Sequence, residues 1–201
     1  MSPKLYACPA EEHKVVGLSR QKVAELLDMT DDSVHFLQKS GYLPDLDVRR
    51  IATLSNYPYL YSDGDYPVLQ QALGAPSSPT RYLERFKIGE SATHTDPECV
   101  LANQGEWAGF RDADVLAVRF LPVTLRKFTV SVLRVTGILG VDGNRTTYKA
   151  DLAGRVRELG RPDLDYVNPD LSGAERETVK LLLGSRSTSN VPGPCGKLKA
   201  I

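Results

Sequence analysis

The sequence predicts an α+β fold, in which an N-terminal helical bundle precedes a small mixed domain with an antiparallel sheet and C-terminal helices. Two observations support this class. Between residues 20 and 55 the apolar residues recur at the spacing of one helical face. From Asp114 onward the pattern changes to short β-branched runs separated by turn residues. Helical and strand patterns that are segregated along a chain are typical of α+β proteins.

Residues 20–39 predict two short helices joined by a tight turn. Ser19 can cap the first helix because its side-chain oxygen accepts a backbone N–H that has no partner within the helix. The second helix runs over about residues 31–40, with Thr30 as its N-cap and Gly41 at its end. The apolar residues predicted to face inward on the two helices are Val23, Ala24, Leu27, Val34 and Leu37.

The helix spacing and the sequence that follows it are specific. The small Ala24 stands where the two helices must approach closely. The second helix closes with S-G-Y-L-P at residues 40–44, and D-V-R-R-I follows at residues 47–51. With these features, residues 15–55 resemble the helix-turn-helix of excisionase and MerR-type winged helix-turn-helix proteins. Asp28 stands where that turn usually carries glycine, and the short connection to the third helix leaves little room for a wing.

The resemblance implies a sequence-specific protein that binds double-stranded DNA, such as a bacterial or phage repressor or an excisionase-like accessory factor. In these proteins the outward residues of the second helix enter the major groove. Carboxylates there accept from cytosine, Thr and Phe contact the thymine methyl group, and Lys reaches guanine or phosphate. The predicted DNA contacts are Arg20, Thr30, Asp31, Asp32, His35, Phe36, Lys39, Arg49 and Arg50, together with Arg126 and Lys127 in the second domain.

The charge distribution is the reason why the predicted DNA contacts include residues of the second domain. The chain carries 25 basic and 25 acidic side chains, so its formal net charge is zero. Residues 1–58 have a net charge of −1, whereas residues 81–161 have a net charge of +3. Neutralisation of phosphates supplies much of the affinity of a DNA-binding protein. We therefore expect either that both domains contact DNA or that a homo-oligomer supplies the missing affinity.

The A-P-S-S-P stretch at residues 75–79 is the predicted domain boundary, because it combines two prolines with small uncharged residues. Residues 1–74 are the predicted helix-turn-helix DNA-binding domain with its N-terminal arm. Residues 80–184 are a mixed α/β domain for DNA contact or oligomerisation. Residues 185–201 are rich in Ser, Gly and Pro, and they predict a flexible tail.

Further elements are predicted on either side of the boundary. Residues 68–73 suggest a short helix. Strands are predicted over residues 115–120 and 128–135, and the basic residues 126–127 lie at the hairpin tip between them. Asp142-Gly143 predicts a second hairpin turn.

Two helices are predicted after that turn. Tyr148, Leu152, Val156 and Leu159 recur at helical spacing, which predicts a helix ended by Gly160. Ser172 and Glu175 form the capping-box pattern of a last helix.

The chain lacks the signatures of several other functional classes. It has no phosphate loop, nucleophile elbow, zinc-binding spacing or dinucleotide fingerprint, so the sequence predicts no enzyme activity, no cofactor and no metal. Its three cysteines are far apart and odd in number, which favours a reducing compartment. It has no apolar stretch of signal-peptide or membrane-spanning length, so we expect a cytoplasmic protein without a membrane partner.

Two alternative functions fit the same sequence. The acidic start of the second helix and the zero net charge favour a protein-interaction or structural module that does not bind DNA. The strand-rich second domain would also suit a small barrel that binds RNA or a modified base. Retention on DNA at low salt separates the first alternative from a DNA-binding regulator, because phosphate contacts make binding strongly salt-dependent.

Overall fold

A computed structural model describes the chain over residues 17–60, 66–70, 92–103, 107–108, 111–187 and 195–198. Its helices are α1 (Arg20–Leu26), α2 (Asp31–Lys39), α3 (Val48–Ser55), α4 (Asp96–Asn103), α5 (Asp112–Val118) and α6 (Gly173–Leu183). Its strands are β1 (Tyr59–Leu60), β2 (Tyr66–Gln70), β3 (Trp107–Ala108), β4 (Phe120–Leu125), β5 (Phe128–Asp142), β6 (Arg145–Arg155), β7 (Tyr166–Val167), β8 (Arg186–Ser187) and β9 (Cys195–Leu198). The α+β class is confirmed. The N-terminal arm and the A-P-S-S-P stretch lie outside the described residues.

The strands pair into one sheet in the order β1-β8-β5-β4-β2-β9, and β6 pairs with β5, β3 and β7. Antiparallel hairpins join β4 to β5 and β5 to β6, as the two predicted turns require. However, β1 pairs with β8 and β2 pairs with β4 in the parallel sense. The sheet is therefore mixed rather than antiparallel, because the long connections between these strands return the chain in the same direction.

Both faces of the central strands are covered. Every residue of β4 is buried, and so are the first six residues of β5. Phe128, Val130 and Val132 lie in one apolar cluster, whereas Leu133 and Val135 lie in a second cluster. The apolar residues of the strand predicted over residues 128–135 therefore recur at every second position within each cluster. The intervening polar residues are also buried, because helices pack on both sides of the sheet.

The helical segment shares its core with the sheet. The inward residues of α1, α2 and α3 belong to the same apolar cluster as Phe128, Val130 and the residues of α6 that face the sheet. The second cluster contains Trp107 and Val115 on the opposite face, and Trp107 is 7% exposed, as expected for a core residue. The apolar face of the helical segment is thus buried against the sheet.

The structure corrects the helix predicted over residues 148–159, which instead form most of β6 and the loop after it. Tyr148, Ala150 and Leu152 are all buried, and they lie on the strand at every second position. A spacing of four is even, so it satisfies the two-residue period of a strand as well as the turn of a helix. Pairing with β5 decides between the two.

Three other local predictions are also corrected. Residues 112–118 form helix α5, and the predicted strand begins only at Phe120, because a short apolar run fits either structure and two aspartates favour a helix start. Residues 66–70 form a strand where residues 68–70 were expected to be helical. Strands occupy residues 186–187 and 195–198 within the expected flexible tail. The last helix begins at the predicted capping box of Ser172 and Glu175.

In the part of the chain that the structure describes, no helix is long and apolar enough to cross a membrane.

Candidate nucleic-acid interface

Helix α2 presents a sharp contrast between its two faces. Val34 and Leu37 on its inner face are completely buried, whereas Asp31, Asp32, His35 and Lys39 on its outer face are exposed. Thr30 caps the helix through its hydroxyl, which accepts the backbone N–H of Ser33 at 3.2 Å. The turn before the helix contains Asp28 with φ +51°, the left-handed conformation that Asp tolerates better than most residues.

Arg20, the first residue of α1, reaches the outer face of α2. Its guanidinium lies 3.5 Å from the Asp31 carboxylate and 3.2 Å from Nδ1 of His35. A guanidinium can only donate, so Nδ1 of His35 is the acceptor in this contact. Three of the predicted DNA contacts are therefore gathered in one cluster, in which Arg20 offsets the charge of Asp31.

Arg126 lies against the middle of α2. The centre of its guanidinium is 4.3 Å from the ring centroid of Phe36, within the range of a cation–π contact. Burial lowers the pKa of Arg126, and the nearby Asp32 carboxylate counteracts this shift. Phe36 is only partly exposed, so one face of the ring that was expected to contact a base is covered by Arg126.

Lys127 is buried, although the sequence predicted it at an exposed hairpin tip. Its residue exposure is 9%, and its ammonium group donates to the backbone carbonyl of Asp28 and, at 2.8 Å, to the Asp28 carboxylate. The hydrogen bond from Lys127 lowers the pKa of Asp28. Lys127 lies at the predicted hairpin tip, between β4 and β5, but its expected exposure is wrong because the tip packs against the turn between α1 and α2.

Comparisons of the chain with protein-family models, with curated proteins and with solved structures found no match.

The two arginines of α3 differ in their surroundings. Arg49 is exposed, as predicted. Arg50 was also expected to face outward, but it is 8% exposed and its guanidinium binds the carboxylates of Asp45 and Glu158 and the carbonyl of Leu159. Arg50 is buried because the loop after β6 packs on this side of α3. Val48, the first residue of α3, is 47% exposed.

A cavity of about 440 Å³ lies between the turn before α2 and the hairpin tip. Its lining is mainly polar and combines residues from both elements, namely Asp28, Met29, Thr30, Ser33, Arg126 and Lys127. The sequence predicted DNA contacts on each side of this cavity, at the start of α2 and at the hairpin tip. Nothing in the sequence indicates that they meet, because Asp28 and Lys127 are 99 positions apart.

A second polar cluster connects α4 to β6. Arg155 is completely buried and binds the Asp96 carboxylate at 3.0 Å and two backbone carbonyls. Burial raises the pKa of the neighbouring Cys99 thiol, so the reactive thiolate is disfavoured. Among the described residues, no group of three or more His, Cys, Asp or Glu side chains is arranged to hold a metal ion. This cluster has the composition of a structural ion-pair network.

Proposed function

We propose that the protein is a sequence-specific DNA-binding regulator, and that α1, α2 and α3 act as its helix-turn-helix. The observation that carries the proposal is the contrast between the two faces of α2. Its outer face is exposed, whereas its inner face is buried in the core. A recognition helix needs this combination, because its base contacts must be accessible while its position is held by packing. His35 and Lys39 are the residues of this face that we assign to direct contact.

The acidic residues at the start of α2 are less unfavourable to DNA binding than their formal charge suggests. Arg20 lies beside Asp31, and Arg126 interacts with Asp32. Both carboxylates therefore have a basic side chain near the surface that would face the phosphates. The exposed Lys39 and Arg49 remain for contact with the DNA backbone or bases.

The test is direct binding of the full chain to duplexes selected from a random DNA pool. Binding should weaken steeply as salt rises from about 50 to 200 mM, because each phosphate contact releases counterions. Selection should also converge on a defined sequence. Failure to retain any duplex at the low-salt end would contradict the proposal.

A protein-interaction role is the second candidate, and the outer part of the β5–β6 hairpin favours it. Leu139 and Val141 in β5 are 58% and 61% exposed, and Ile138 beside them is 40% exposed. Neighbouring exposed apolar side chains are typical of protein contact surfaces. This surface also suits a homo-oligomer, which would supply a second recognition helix. Sedimentation at increasing protein concentration distinguishes self-association from a monomer.

A further inference from the structure

Two residues with unusual backbone conformation face each other where the hairpin tip meets the helical segment. Asp28 has φ +51° and Arg126 has φ +59°. Left-handed conformations are unfavourable for residues other than glycine, and they persist where surrounding contacts hold them. Here Lys127, next to Arg126, donates to both the carbonyl and the carboxylate of Asp28.

The hairpin tip touches the helix-turn-helix at two separate points. Lys127 holds the turn that precedes α2, and Arg126 covers the ring of Phe36 in the middle of α2. These contacts, one before the short helix and one at its middle, add to the restraint that the buried inner face places on the rotation and tilt of α2. The same tip is fixed in the sheet, because the Lys127 carbonyl accepts the backbone N–H of Ser187 at 2.6 Å.

We propose that Arg126 and Lys127 are positioning residues, which hold α2 in the orientation that DNA recognition requires, and that they are not phosphate contacts. The inference rests on the proposed function. Lys127 is buried, and its ammonium group already has two acceptors on Asp28. Turning it towards a phosphate would leave the Asp28 carboxylate unpaired beside the DNA. Its positive charge is therefore already paired with a carboxylate of the same chain.

The two roles predict opposite results when the charge of Asp28 is removed. Asp28→Asn deletes a negative charge near the proposed interface, so electrostatics alone would strengthen DNA binding. A positioning role predicts weaker specific binding, because the ion pair that holds the turn is lost. Asn also tolerates the left-handed conformation, so the substitution adds little backbone cost.

The experiment measures the affinity of the full chain for a selected duplex and for a scrambled duplex over a salt series. Lys127→Met and Asp28→Asn should each lower the ratio of the two affinities by roughly two- to thirtyfold, the range for residues that act on a site through other residues. The salt slope should stay unchanged. Loss of a phosphate contact would instead reduce the slope by about 0.9 and weaken both duplexes alike.

Matched variants separate positioning from general damage to the fold. Lys127→Arg keeps a donor for Asp28 and should restore most of the ratio. The combined Lys127→Met/Asp28→Asn variant should lose little more than Lys127→Met alone, because both substitutions break one contact. Lys180→Ala, at an exposed lysine on α6, should change neither the ratio nor the slope. A flattened slope in Lys127→Met together with tighter binding by Asp28→Asn would overturn the proposal.

Amide hydrogen exchange supplies a readout that does not involve DNA. Lys127→Met and Asp28→Asn should increase exchange in α2 more than in α6, since local opening follows the loss of local contacts. If the unaltered chain binds no duplex, the proposed function fails, while α2 exchange still decides whether the tip positions this helix. Unchanged protection of α2 in both variants would overturn the positioning role by itself.

Discussion

At the residue scale, two substitutions on the outer face of α2 should have different effects, one on the preferred DNA sequence and one on the affinity for all sequences. Lys39 and His35 lie one helical turn apart, and both are exposed. Lys39→Ala should weaken binding to all duplexes and reduce the salt slope by about 1 if the ammonium group neutralises one phosphate. His35→Ala should change the preferred base at one position, at a cost of roughly 1–3 kcal/mol for the lost contact.

Binding measurements on selected and mismatched duplexes check both variants. Circular dichroism should show the same melting curve as the unaltered chain, because neither side chain is buried. Lys180→Ala is again the matched control for loss of an exposed lysine. If the double variant binds every duplex as strongly as the original chain, α2 does not lie in the interface.

We expect the stability of the protein to depend on pH through Asp165. Burial raises the pKa of Asp165 to about 7, and the nearby Asp163 adds to this shift although the backbone N–H of Arg157 opposes it. Tyr57, after α3, faces the same carboxylate, and burial with this charge raises the pKa of Tyr57 to about 12. Asp165 Oδ1 is buried without a hydrogen-bond partner among the described residues.

The sign of the pH effect follows from proton uptake. The pKa of Asp165 is about 7 in the folded chain and roughly 4 in an unfolded chain, so between these values the folded state binds more protons. The stabilising contribution is complete below about pH 4 and is lost as pH rises to about 7. Asp165→Asn should remove this decline in denaturant titrations at pH 5, 6 and 7. An identical decline in the variant would assign it to another group.

At the element scale, α6 packs on β6 at a position that requires glycine. A Cβ at Gly154 would lie 2.4 Å from Val179 Cγ1 and 3.2 Å from the carbonyl oxygen of Tyr166. Gly154→Ala should therefore lower the free energy of unfolding by about 1–3 kcal/mol, as overpacking of a core does. Gly140→Ala is the control, since a Cβ there meets nothing within 4 Å. Equal stability of both variants would mean that α6 can shift at no cost.

The elements that the sequence predicted correctly depend on neighbours in the chain. Helix α2 follows from its cap at Thr30 and from Val34 and Leu37, all within one short segment. The helix predicted over residues 148–159 is wrong because the spacing of Tyr148 and Leu152 fits a strand as well as a helix. Only pairing with β5 distinguishes these two structures. Contacts between residues that are distant in the sequence leave no pattern in either segment. The burial of Lys127 and Arg50, which removes both from the surface of the candidate interface, was therefore not predictable.

At the scale of the whole molecule, the division into two domains at residues 75–79 stays a prediction. Helices α1–α3 share an apolar cluster with the sheet, so the cooperativity of unfolding tests this division. Because the apolar face of the helices is covered by Phe128 and its neighbours, we expect one cooperative unfolding transition. Trp107 fluorescence follows the opposite face of the sheet, while circular dichroism follows the helices. Coincident denaturation curves would support one unit, and two separate midpoints would support two independent domains.

The parallel pairing of β1 with β8 has a consequence for the synthesis of the chain. Arg186 stacks on Tyr59 and donates to the carbonyl of Ser55, which is 131 positions earlier. The end of α3 therefore remains without these contacts until Arg186 has left the ribosome. Contacts between such distant positions slow folding, because a long loop must close before the contact forms. Nascent chains stalled before residue 186 should thus be more accessible to proteases and chaperones around Ser55 than chains from which this residue has emerged.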